Sequence, residues 1–103
     1  MTWGVTVDVA APVELYDTLH AALLERTGAG ASIEGLLVHI ARETGAGFQV
    51  TEVWESQAAY DRAADALAPL LADLSGGRAS RADQTERPFE VRGLVLPRAG
   101  IAV

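Results

Sequence analysis

Residues 35–56 read GLLVHIARETGAGFQVTEVWES, two apolar-rich runs separated by a short glycine turn. The letters TGAG at Thr44–Gly47 also occur at Thr27–Gly30. A phosphate-binding glycine loop leads from a strand into a helix whose N-terminus faces the anion. Neither copy has that setting. The first follows a helical pattern and precedes a strand, so it reads as a helix stop. The second joins two strands, so it reads as a hairpin loop. With Thr44–Gly47 as a four-residue loop, Glu43 faces Phe48, Ala41 faces Val50, His39 faces Glu52 and Leu37 faces Trp54. One face of the hairpin then carries Leu37, His39, Ala41, Phe48, Val50, Glu52 and Trp54. The other carries Leu36, Val38, Ile40, Gln49, Thr51 and Val53. A loop one residue longer or shorter would break the His39–Glu52 pair, because side chains alternate with period two.

Working outward, Trp3, Val5, Val7 and Val9 alternate with Thr2, Gly4, Thr6 and Asp8, which predicts a first strand. Pro12 suits a first helical turn. Leu15, Tyr16, Leu19, Ala22 and Leu23 follow at helical spacing, and Gly28 ends the run. The hairpin strands are expected over about 33–42 and 48–55. Ser56 is a suitable N-cap for a second helix. Its stripe is Tyr60, Ala63, Ala64, Leu67, Leu70, Leu71 and Leu74, with Pro69 expected to kink it or break its last turn. Residues 78–87 are polar, charged and aperiodic, and read as a flexible loop that holds Arg78, Arg81 and Arg87 in solvent. Phe89–Leu96 reads as the last strand. The order strand, helix, strand, strand, helix, strand predicts an α+β, ferredoxin-like βαββαβ domain. It has a four-stranded antiparallel sheet with both helices on one face. Both faces of the hairpin are substantially apolar, whereas a solvated antiparallel sheet should be polar on one side. A second copy of the sheet is the simplest cover, so a homodimer is expected.

The 103 residues fit one domain, 1–103. A net charge of -6 disfavours nucleic acid and anionic membrane surfaces as partners. Every basic residue is arginine, and lysine, asparagine and cysteine are absent. That removes Schiff-base chemistry, a thiol nucleophile, disulfides and a complete P-loop. Two histidines and scattered acids have no metal-ligand spacing, so neither metal nor cofactor is expected. The N-terminal stretch is not patterned as a signal peptide, and no apolar run approaches the roughly 20 residues of a membrane span. A cytoplasmic protein is the default.

If His39 and Glu52 pair across the hairpin, they form a base with an orienting carboxylate, which would fix the tautomer and favour the protonated ring. Such a histidine can take a proton from a phenol or from a carbon beside a carbonyl. Trp54 would provide a flat apolar wall, with Phe48 and Leu37 adding lining. The plain structural reading stands beside this one. His39 and Glu52 can be a satisfied polar pair in a dimer interface, Trp54 can be core, and Tyr60 can pack on the sheet with its hydroxyl at the rim. His20, between Leu19 and Ala21, reads as a helix-edge residue without a link to a site.

GLLVHIA, a glycine turn, a strand ending VWES and a helix beginning QAAYDRAADALAPLL together resemble the dimeric α/β-barrel superfamily. The likeness is to its antibiotic-biosynthesis-monooxygenase-like branch, over about Val5 to Leu96. The resemblance implies two ferredoxin-like sheets packed face to face. It also implies a function among cofactor-independent oxygenation, cyclisation or isomerisation of an aromatic or polyketide-like small molecule. The oxygenases of this group line their pocket with a tryptophan, a tyrosine and an asparagine. Trp54 and Tyr60 match the first two by motif position, and Val50 stands where the asparagine is expected. Haem-degrading relatives use a histidine on or near the second helix, and this chain has none after His39. The superfamily also holds many small proteins without known activity, which leaves a non-catalytic dimeric binding or structural module as the alternative.

Overall fold

A computed structural model describes residues 1–27, 33–75 and 84–102. The elements are β1 (Trp3–Val9), α1 (Val13–Thr27), β2 (Leu36–Glu43), β3 (Phe48–Trp54), α2 (Gln57–Ser75) and β4 (Gln84–Glu90). A two-residue hairpin of β5 (Val95–Leu96) and β6 (Ile101–Ala102) follows, joined by a 3-10 turn over Pro97–Ala99. The sheet order is β2-β3-β1-β4, with every neighbouring pair antiparallel. This is the α+β, ferredoxin-like arrangement. Among the described residues no helix is long and apolar enough to cross a membrane.

The hairpin loop closes at Thr44–Gly47. The Thr44 and Gly47 backbones exchange hydrogen bonds of 2.9 and 3.3 Å, and the Gly47 N–H also donates to Thr44 Oγ1 at 3.1 Å. Its length sets the expected register, with Glu43 opposite Phe48, Ala41 opposite Val50 and His39 opposite Glu52. The register departs from expectation beyond Val38. A β-bulge between Leu36 and Val38 places Leu36, not Leu37, across from Trp54. The cause lies at Gly35, which turns with φ +86, and a Cβ there would stand 2.6 Å from the Ala59 methyl. Glycine therefore lets β2 start tight against α2 in a backbone conformation that other residues resist. The other TGAG copy begins at Thr27, the end of α1, and residues 28–30 lie outside the described part.

α2 begins as its sequence indicates. Ser56 Oγ accepts the Ala59 N–H at 3.1 Å, an N-cap bond. The helix runs through Pro69 to Ser75 instead of ending there. The last strand is a correction. Residues 78–83 lie outside the described part, but Gln84–Arg87 are strand and not loop, and β4 ends at Glu90 instead of reaching Leu96. β4 forms by pairing its backbone with β1 at the sheet edge, where polar side chains and Pro88 are tolerated. Arg87 is accordingly held, its guanidinium 2.5 Å from the Asp8 carboxylate.

Each helix crosses over a strand that its own flanking strands enclose. α1 passes from β1 to β2 across β3, and α2 passes from β3 to β4 across β1. The face they cover holds Val5 at 1% exposure, Val9, Phe48 and Trp54, with Leu15 and Ala59 contributed by the helices. The opposite face carries no helix. A polar rung crosses it: Arg42 Nε donates to Gln49 Oε1 at 3.1 Å, and Gln49 Nε2 donates to Asp8 Oδ1 at 3.0 Å. Two rungs away runs an apolar one, Val38–Val53–Gly4–Phe89. The Phe89 ring lies so close over Gly4 that a Cβ would stand 2.3 Å from it. Ile40, on the same face, is 57% exposed.

Candidate functional site

His39 and Glu52 face each other from β2 and β3 on the helix-covered side. Glu52 Oε2 lies 2.7 Å from His39 Nδ1, and the side chains are 18% and 29% exposed. The carboxylate's other oxygen accepts the Trp54 indole N–H at 3.3 Å. Glu52 is thus clamped from both sides, by a neighbour across the hairpin and by one two residues along its own strand. A carboxylate on Nδ1 fixes the neutral imidazole as the Nδ1–H tautomer and leaves the Nε2 lone pair as acceptor.

That lone pair has a partner that the sequence reading did not place. Tyr16 of α1 sets its hydroxyl 2.7 Å from His39 Nε2. The same hydroxyl lies 3.2 Å from Nδ1 of His20, one helical turn further on. The three rings are stacked: Tyr16 and His39 are inclined by 14°, His20 and His39 by 5°, with centroids 6.0 Å apart in each pair. Tyr16 also packs its ring on Phe48, centroids 5.5 Å apart. Burial pushes the Tyr16 phenol above its ordinary value, and the negative charges of Glu52 and then Asp17 push it the same way. Tyr16 is therefore held as the neutral phenol, its proton kept more firmly than in a free tyrosine. His20, read from sequence as a bystander, joins the cluster. The only sequence signal was the i,i+4 spacing of Tyr16 and His20 on a helix that must cross β3.

The remaining expected residues fall into two groups. Trp54, 3% exposed, and Phe48 are buried beside the cluster. Val50 lies between Phe48 and Glu52 on the same face of β3 and is half-buried. Tyr60 belongs to a different neighbourhood. Its ring packs on Trp3 at 4.9 Å and meets Trp54 edge-on at 5.6 Å, and its hydroxyl donates to Glu86 Oε1 at 3.1 Å. The premise for Leu37 fails, because the bulge removes it from the position opposite Trp54.

Two clefts, of about 380 and 440 Å³, open near the start of α1. The first lies between Ala10–Glu14 and the Glu43–Gly47 turn, the second between Ala10–Pro12 and the first turns of α1. Neither is lined by His39, Glu52 or Trp54. Among the described residues no group of three or more histidine or acidic side chains is placed to hold a metal ion.

No family profile and no curated protein matches the sequence. Solved structures match by shape. A Caulobacter crescentus protein provisionally assigned as an antibiotic biosynthesis monooxygenase superposes with a TM-score of 0.63 at 15% identity, over 87% of this chain and 89% of its own. A Chloroflexus aurantiacus protein with the same provisional assignment gives 0.57 at 24% identity, over 92% and 98%. SnoaB, a cofactor-independent oxygenase from Streptomyces nogalater crystallised as a mutant, gives 0.53 at 22% identity, over 93% and 95%. The chain has the antibiotic-biosynthesis-monooxygenase-like fold.

Proposed function

We propose that the protein is a small-molecule enzyme that removes a proton from an acidic aromatic or polyketide-like substrate, without a cofactor. His39 is the proton acceptor and Glu52 its orienting partner. Trp54, Tyr60, Phe48 and Val50 are the candidate substrate contacts. The observation that carries this reading is the Glu52 carboxylate, held between His39 Nδ1 at 2.7 Å and the Trp54 indole at 3.3 Å. That arrangement keeps one imidazole tautomer in place and can stabilise the imidazolium that forms on proton transfer. A substrate anion so made is electron-rich and can react with dioxygen itself, or cyclise or isomerise. The shared fold with SnoaB, a cofactor-independent oxygenase, agrees with the first of these.

The test is oxygen uptake with 1,4-dihydroxynaphthalene and related phenols, after subtraction of their spontaneous oxidation. A His39→Ala variant should lose about 10²-fold or more of the enzymatic rate, the low end of what a general base contributes. Full activity in that variant would end the assignment.

The helix-free face, with its apolar rung and the exposed Ile40, suits a second copy of the sheet, and a homodimer is part of the proposal. Ile40→Asp should then shift the protein toward monomer in sedimentation at micromolar concentration. An unchanged state would place the interface elsewhere.

A second reading has its own support. The two clefts lie away from His39, Glu52 and Trp54, and Trp54 is nearly fully buried. A non-catalytic dimeric module that binds a small ligand near the start of α1 would look like this. Ligand binding by the wild type with no turnover, unaffected by His39→Ala, would favour it.

A further inference from the structure

Both ring nitrogens of His39 are already engaged, Nδ1 by Glu52 and Nε2 by Tyr16. A ligand therefore cannot meet the imidazole directly without displacing Tyr16. We infer that Tyr16 is the group through which His39 exchanges a proton with a bound molecule, and that His20 holds the Tyr16 oxygen in place for that exchange. The inference rests on the proposed reading in taking His39 as the final proton acceptor, and it assigns residues on α1 that the reading does not contain.

The hydrogen-bond inventory gives each atom one role. Glu52 accepts Nδ1–H of His39, so Nε2 must accept, and Tyr16 must spend its single O–H there. His20 Nδ1, 3.2 Å away, can then only donate to the Tyr16 oxygen. A phenol oxygen has two lone pairs. His20 occupies one, and the second is left for a donor on a ligand. Among the described residues Tyr16 is bonded through its hydroxyl to the two histidines only. Tyr16 is half-buried and His20 exposed, so the cluster runs from the Trp54 core to the surface.

The transfer is a relay of one net proton. The O–H or C–H bond of the ligand breaks and its proton goes to Tyr16 Oη, while the electron pair stays on the ligand as an anion. At the same time the Tyr16 O–H breaks and that proton goes to His39 Nε2. The product state is a ligand anion, a neutral Tyr16 and a His39 imidazolium beside the Glu52 carboxylate. The negative charges of Glu52 on β3 and Asp17 on α1 oppose a standing phenolate, so Tyr16 passes the proton on without storing the charge. His20 Nδ1–H offsets the charge that develops on the oxygen during the passage. Tyr16 touches the reacting molecule, whereas His20 is a positioning residue.

The experiment uses the full chain labelled with ¹⁵N in its histidines, compared with Tyr16→Phe and His20→Ala. In the wild type at neutral pH, both imidazoles should give Nδ1–H tautomer signatures, with His39 Nε2 shifted as a hydrogen-bond acceptor. Tyr16→Phe keeps the stacked ring and removes only the hydroxyl. It should move both the His39 Nε2 and the His20 Nδ1 resonances, and His20→Ala should move His39 less. Unmoved histidine spectra in Tyr16→Phe would overturn the relay. The second arm is the rate with 1,4-dihydroxynaphthalene: Tyr16→Phe should lose about as much as His39→Ala, roughly 10²-fold, and His20→Ala less. Loss in His39→Ala with full activity in Tyr16→Phe would overturn the inference while sparing the proposed function. Tautomer shifts as expected with no turnover in the wild type would leave the hydrogen-bond chain standing and overturn both the relay and the proposed function.

Discussion

Under α1 the sheet presents His39 and Glu52, and the helix answers with Tyr16 and His20. Under α2 the sheet presents Trp3 and Trp54, and the helix answers with Tyr60 and Ala59. The two neighbourhoods share one face of one sheet and are made by the same kind of crossover. One is a chain of polar contacts reaching solvent; the other is an aromatic cluster of half-buried Trp3 and Tyr60 packed on the buried Trp54. They meet on β3, where Glu52 and Trp54, two residues apart, share a hydrogen bond. The difference shows how one crossover can deliver polar contacts and the other aromatic packing to the same sheet face. The α2 side packs its rings on one another, and the α1 side keeps its polar groups satisfied by one another while still partly exposed.

Breaking the aromatic side should have the largest effect. Trp54→Ala empties a buried site between the sheet and α2 and should cost about 3–5 kcal/mol of stability, read from urea unfolding. A domain of this size has little more than that to lose, since folded proteins hold roughly 5–15 kcal/mol in all. A cost below about 0.5 kcal/mol, the scale of surface changes, would mean that Trp54 does not anchor the core. Glu52→Ala should come next, at about 2 kcal/mol, because it leaves the buried Trp54 N–H without its acceptor and frees His39. Glu52→Gln offers an amide oxygen to the indole and should recover part of the loss. If Glu52→Gln and Glu52→Ala unfold alike, the link between the two sides is not what holds the carboxylate.

How far the sequence carried this contrast depends on the range of each interaction. The His39–Glu52 pairing was legible because it follows from loop length and period two alone: Thr44–Gly47 leaves no other register. The bulge at Leu37 was not, because it depends on how closely Gly35 approaches Ala59 of α2, a contact between segments that a linear pattern does not relate. β4 was misplaced for a similar reason. GLVLP, residues 93–97, has the apolar run of a strand, whereas the true strand QTERPFE is polar and exists because β1 offers a free edge. Tyr16 and His20 are legible in the sequence as helix residues, but only the crossover of α1 over β3 brings Tyr16 within 2.7 Å of a histidine 23 positions away. The fold followed from local pattern, and the half of the candidate site on β2 and β3 followed from it. The half on α1 required the third dimension.

The smallest effect sharpens the comparison most, because it separates the two tyrosines that the helices contribute. Tyr60→Phe removes one hydrogen bond to Glu86 and should cost about 1 kcal/mol, with little effect on either histidine. Tyr16→Phe should cost about as much at neutral pH, but its cost should depend on alkaline pH. The folded protein holds the Tyr16 phenol above the ordinary 10.0, by burial first and then by Glu52 and Asp17. Above that ordinary value the unfolded chain releases the proton while the folded chain still keeps it, so the unfolded state gains and stability falls with rising pH. The decline continues until the folded phenol itself ionises and is absent below the ordinary value. Phenylalanine has no proton to lose, so Tyr16→Phe lacks this component, while contributions from every other group cancel in the comparison. The stability difference between wild type and Tyr16→Phe should therefore be constant from about pH 7 to 9 and shrink above about pH 10. Parallel urea midpoints through the alkaline range would show that Tyr16 is not buried against Glu52 in solution, and the contrast between the two helices would lose its polar half.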